Sequence, residues 1–158
     1  MSDTPTRILV DDPEIGGSVS LLRQINPSTQ ASHVDWEQMV GGQPRVRSAA
    51  FQRASRQFAL REGYPEQTLS LFLEKVVVDE HGTVELWLDA VDRSSWGVVR
   101  ITAQLLRDEG AMAIERDDHR ALLGHCVAWA TGSSGKARSA EPILAARAEW
   151  VVVPERFV

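Results

Sequence analysis

Between Ser94 and Gly132 the chain reads SSWGVVRITAQLLRDEGAMAIERDDHRALLGHCVAWATG, and its apolar spacing changes partway along. Ser94 and Ser95 offer an N-cap, and Val98, Val99, Ile101, Thr102, Leu105 and Leu106 recur at helical spacing until Gly110, which predicts a helix over 95–109. Ala111 to Glu115 and Leu122 to Thr131 then read as strands around the charged turn RDDHR. A helix feeding directly into a hairpin implies an antiparallel sheet with helices laid upon it, the α+β class.

The rest of the chain extends that scheme. Phe51, Ala54, Ser55 and Phe58 share one face of a helix over 48–60, with Phe51 and Phe58 directed to the core, and Gly63 and Pro65 stop it. Leu69 to Val78 and Val84 to Leu88 read as a hairpin closed by Glu80-His81-Gly82. Ser18 to Ile25 is a short apolar segment of either type, stopped by Asn26-Pro27. The expected domain plan has three parts: an N-terminal arm at 1–17 with a short strand near Arg7 to Val10, one α+β domain at 18–132, and a flexible GSSGKARS loop leading into a C-terminal helix within 133–158. The sheet should hold four or five antiparallel strands, with two or three helices mainly on one face.

Composition narrows the class of function. At 158 residues the chain suits one ordinary domain with a single core. No apolar run approaches the roughly 20 residues a membrane span needs, and the acidic N-terminus and lone Cys126 suggest a cytoplasmic setting without disulfides. Charge is segregated: Gln38 to Arg61 holds five arginines and no acid, whereas Glu62 to Asp92 holds eight acids against Lys75. The net charge of -5 disfavours wrapping by nucleic acid. Arg45, Arg47, Arg53 and Arg56 are candidates for contact with an anion or an acidic protein, and Arg45 and Arg47 would share a face if extended.

Three groupings invite chemistry. His125 and Cys126 are neighbours, but on a strand they face opposite ways: His125 with Leu123, Val127 and Trp129, Cys126 with Gly124, Ala128 and Ala130. Asp117, Asp118 and His119 could ligate a metal, yet no second ligand cluster accompanies them and a solvated turn accounts for them better. Gly132-Ser-Ser-Gly135-Lys136 lacks the spacing of a phosphate loop and has Ala137 where Ser or Thr is required. Neither a metal nor a cofactor is indicated by these patterns.

Arg23-x-Ile25-x-Pro27, Ser48-Ala-Ala-Phe51, Leu69-Ser70-Leu71, Trp96-Gly97-Val98-Val99, Gly110, and His125 before Gly132 together resemble a group of short uncharacterised bacterial proteins, over roughly residues 20–132. The insert at 79–93 and the C-terminal segment depart from that pattern. The resemblance implies no activity, but it marks Arg23, Ser48, Phe51 and His125 as a set.

Three functional readings follow, in order. The first is a bacterial interaction or accessory module, binding another protein or itself through the charge-segregated surface. The second is a small hydrolase or transferase acting on an anionic substrate through His125 with Arg23 and Ser48, which requires the three to line one pocket. The third is nucleic-acid binding through the arginine block at 45–61.

Overall fold

The computed structural model describes residues 8–27, 33–118 and 123–155. Its centre is a six-stranded antiparallel sheet in the order β6-β7-β4-β1-β5-β8, built from β1 (Ser20–Ile25), β4 (Leu69–Leu73), β5 (Gly97–Thr102), β6 (Met112–Arg116), β7 (His125–Ala130) and β8 (Glu149–Val152). A separate two-stranded ribbon pairs β2 (Val34–Val40) with β3 (Gln43–Val46). The α+β class holds, while strand number and helix placement differ from expectation.

Both faces of the large sheet are covered. Leu21, Leu71, Val99, Ile101, Ile114, Cys126 and Ala128 meet a 3-10 turn (Ser48–Phe51) and helices α4 (Ala103–Asp108) and α5 (Ser134–Arg147) in the main core. On the opposite face Leu22 and Val98 pack against Val77 of α2 (Glu74–His81) and against Val84, Trp87 and Leu88 of α3 (Val84–Ala90). Val127 there meets Ala59 of α1 (Arg56–Arg61) and Tyr64. Each fully buried large apolar side chain contributes roughly 1.5–3 kcal/mol, so both layers help to hold the sheet.

The local departures have identifiable causes. Residues 97–102 form a strand buried on both sides, so their continuous apolar run imitates a helical stripe. Thr102 then caps α4 by accepting from Leu105 N. No hairpin joins 69–78 to 84–88: the chain turns helical at Glu74, Gly82 ends α2 at φ 89°, and Thr83 caps α3. The predicted helix over 48–60 is instead a 3-10 turn followed by α1, with Phe58 half exposed rather than in the core. GSSGKARS is the start of α5, capped by Ser133, whose hydroxyl accepts from Gly135 N and Lys136 N. Trp150 follows on β8, its indole N–H donating to Pro44 O at 2.9 Å.

Residues 8–10 form no strand, although from Val10, whose N–H donates to Glu115 Oε1 at 3.4 Å, the arm docks on β6. Ile114 N donates to Asp11 Oδ1 at 2.8 Å, Asp12 N donates to Ile114 O at 2.8 Å, and Ile15 is buried. Arg107 of α4 reinforces this contact by donating to Asp11 and to the carbonyls of Asp12 and Ile15. The outer edge of β6 is thereby covered, which protects it from pairing with another chain.

Candidate functional site

A cavity of about 750 Å³ opens on the face of the sheet that carries α1, α2 and α3. Alternation along β4 puts Leu69, Leu71 and Leu73 in the main core and turns Ser70 and Phe72 the other way. The same rule on β7 sends Cys126 into the core and His125 and Val127 toward the cavity. Ser70 and His125 thus meet across neighbouring strands, where Phe72 is the Cα partner of His125 and Ser70 that of Val127.

The hydroxyl Oγ of Ser70 is hydrogen-bonded to Nε2 of His125. The other ring nitrogen, Nδ1, lies 3.1 Å from the carbonyl oxygen of Asp117. A carbonyl can only accept, so Nδ1 carries the proton and, in the neutral ring, Nε2 accepts from the Ser70 hydroxyl. Asp117 is strapped to the same residue through its own backbone, Asp117 N donating to His125 O at 2.7 Å. Its buried carboxylate accepts a hydrogen bond from the Tyr64 hydroxyl. The edge of Phe72 braces the imidazole, with ring centres 5.2 Å apart.

Arg23 enters from β1. That strand pairs β5 over six residues, whereas its ladder with β4 covers only Leu21↔Leu73 and Leu22↔Phe72. Beyond those pairs the guanidinium takes over: NH1 donates to Ser70 O at 2.9 Å and Nε to Ala50 O at 2.8 Å. Arg23 has no carboxylate partner among the described residues. Burial draws its pKa down to about 10, so it stays charged at neutral pH. The same charge, behind a larger effect of burial, helps to hold His33 near pKa 4. His33 is therefore a neutral ring, accepting from Asn26 N at 3.3 Å.

Toward the other end, Gln24 of β1 accepts from NH1 of Arg93 through Oε1. The guanidinium of Arg93 lies over Trp96, 4.3 Å from its ring centre. Trp87 sets its ring against Phe72 at 4.9 Å and 64°. The cavity thus has a polar region, with the Arg23 cation and the Ser70–His125 pair, and an aromatic region at Phe72, Trp87 and Trp96.

Of the three residues grouped from sequence, Arg23 and His125 line this cavity and Ser48 does not. Ser48 lines a second pocket of about 300 Å³ with Arg53, Arg138 and Glu141, because the 3-10 turn that buries Ala50 and Phe51 carries its hydroxyl elsewhere. The hydroxyl beside His125 belongs to Ser70. Its signal in the sequence is one polar residue within the apolar strand LSLFL, at the position alternation takes out of the core.

The arginine block does not form one surface. Arg53 is buried and donates from NH2 to Ser134 Oγ at 2.9 Å. Arg45 is exposed on β3, Arg47 is exposed just before the 3-10 turn, and Arg56 is exposed on α1. Arg47 lies 3.7 Å from Asp35.

The acidic group at 117–119 is also divided. Asp117 is buried rather than solvated, and Asp118 accepts from Arg116 Nε and Gly124 N, both at 2.6 Å. His119 lies outside the described residues. Among the described residues no three His, Cys, Asp or Glu side chains converge as metal ligands, and no helix is long and apolar enough to cross a membrane.

Comparison with protein-family models, curated proteins and solved structures yields no match for this chain. The chemistry of the cavity is therefore read from its own geometry.

Proposed function

We propose that the protein is a small hydrolase or transferase acting on an anionic substrate, with Ser70 as nucleophile, His125 as general base and Arg23 as anion anchor. The observation that carries this reading is the hydrogen-bonded Ser70–His125 pair, its tautomer set by the Asp117 carbonyl, beside a guanidinium that lacks a carboxylate. A base must touch the proton it removes and needs a third group to orient it, and both requirements are met here. A desolvated cation held only by two carbonyls would gain from a substrate anion.

In the reaction His125 Nε2 takes the Ser70 proton as Oγ bonds to the electrophilic carbon or phosphorus of the substrate. The displaced group leaves with that proton. In a hydrolase, water then gives its proton to His125, attacks the Ser70 adduct and restores the free hydroxyl. In a transferase an acceptor alcohol or amine replaces the water.

The test is covalent labelling with phenylmethylsulfonyl fluoride, in which Ser70 Oγ bonds to sulfur, fluoride leaves and His125 receives the proton. Intact mass followed by peptide mapping should place one adduct on Ser70, formed about 100-fold or more faster than in a folded His125→Gln variant. Ser70 left unlabelled in the folded protein, or labelled equally fast in both, would overturn the assignment.

A further inference from the structure

We infer that the ligand of this cavity is a nucleotide, its phosphate held at Arg23 and its base placed against the Arg93–Trp96 pair and read by Gln24. The inference deepens the proposed function, since it names the substrate class for the same site. It also rests on groups that the Ser70 chemistry does not use.

Gln24 is 9% exposed, lines the cavity and commits its Oε1 to Arg93. Its amide nitrogen makes no hydrogen bond among the described residues. A nearly buried amide that presents only donors toward open space calls for ligand acceptors. Arg93 differs in being exposed, but it too has donors left over. NH1 is bonded to Gln24, the guanidinium is flat over Trp96, and it has no carboxylate partner among the described residues. Its remaining N–H groups and outer face are suited to the ring nitrogens and carbonyls of a nucleobase, and guanidinium planes stack on bases.

Both regions belong to one cavity, since Arg23 and Gln24 each line it, although alternation on β1 sets Arg23 with Leu21 and Ile25 and Gln24 with Leu22. A simple anion would engage Arg23 and leave Gln24, Arg93 and the aromatic wall unused. A neutral aromatic molecule would leave Arg23 without its counter-charge. A volume of about 750 Å³ is within the range of small-molecule and cofactor sites. A nucleotide supplies the anion, the planar ring and the acceptor edge together.

Isothermal titration of the Ser70→Ala protein tests this without turnover, using GMP, UMP and AMP with ribose 5-phosphate and the matching nucleoside of each as the separate halves. At least one nucleotide should bind about tenfold or more tightly than either half, since stacking and phosphate contact add. Arg93→Ala should weaken the nucleotide by a similar factor while leaving ribose 5-phosphate unchanged. Absence of nucleotide binding, or ribose 5-phosphate binding as tightly as every nucleotide, would overturn the inference. Nucleotide binding with no Ser70 labelling would overturn the catalytic assignment alone, and labelling without nucleotide binding would overturn the ligand class alone.

Discussion

The Tyr64 hydroxyl donates to the buried carboxylate of Asp117, and the carbonyl of that same Asp117 accepts the Nδ1 proton of His125. The imidazole is therefore held by a residue that is itself held. Tyr64→Phe removes one hydrogen bond to a buried charge and should cost about 1.5–3 kcal/mol, measured as the shift of a urea transition. Sulfonylation of Ser70 should slow in the same variant, because one of the hydrogen bonds that hold Asp117 in place would be lost.

Arg23→Met keeps the apolar stem but abandons the carbonyls of Ala50 and Ser70. Ser70 O on β4 and Ala50 O in the 3-10 turn lose a charged donor, while the cost of desolvating that donor is recovered. The net loss should be about 1–3 kcal/mol by urea unfolding, with faster amide exchange in β4 than in β8.

His33 gives stability a pH dependence of definite sign. Its pKa falls from 6.5 in the unfolded chain to about 4 in the fold through burial and the nearby Arg23 charge. Between those values the unfolded state binds more protons, so stability falls as pH drops from about 6.5 toward 4 and levels off below. Water reaches the ring, and with that screening the effect should be about 1 kcal/mol. His33→Asn keeps an acceptor for Asn26 N and should flatten the slope across this window in urea titrations taken from pH 7 to pH 4.

Cys126 should be inert while the protein is folded. It is fully buried on the core side of β7, and burial pushes its thiol up to about 12, leaving little thiolate at pH 8. Reaction with a disulfide reagent should await unfolding and follow the urea transition. Rapid native labelling would contradict the packing of β7 against α5 and the main core.

Gly97 lets β8 close on β5. A Cβ there would lie 2.6 Å from Pro154 Cδ and 2.9 Å from Val152 O, closer than atoms in contact allow. Gly97→Ala should cost about 1–3 kcal/mol through overpacking, read as a lower melting temperature.

What could be read in the chain depended on whether one period dominated locally. The hairpin of β6 and β7 was legible because apolar residues on either side of RDDHR leave few other arrangements, and alternation correctly separated His125 from Cys126. Residues 97–102 imitate a helix because a strand covered on both faces loses alternation. The second half of α5 matches the C-terminal helix expected after GSSGKARS, while its first half is hidden for a different reason: the inner face is Ala137, Ala140, Leu144 and Ala145, too weak in hydropathy to stand out, and its cap looks like loop composition. At the site, Arg23 and His125 stood out as residue types. Ser70 did not, since one serine in a strand has no meaning until β4 and β7 are paired.

The order of strands also bears on synthesis. β1 leaves the ribosome early, yet Ser20 must wait for Thr102 and Ile25 for Gly97 before its six-residue ladder can form. Among the described residues only β6 with β7 joins two strands of the large sheet that have no other strand between them along the chain. A nascent chain that stops before Gly97 exposes Leu21, Leu22 and Ile25 without their long partner, and such delayed closure slows folding and invites aggregation. Pausing in translation near α3 should therefore lower the yield of soluble protein more than pausing after β7.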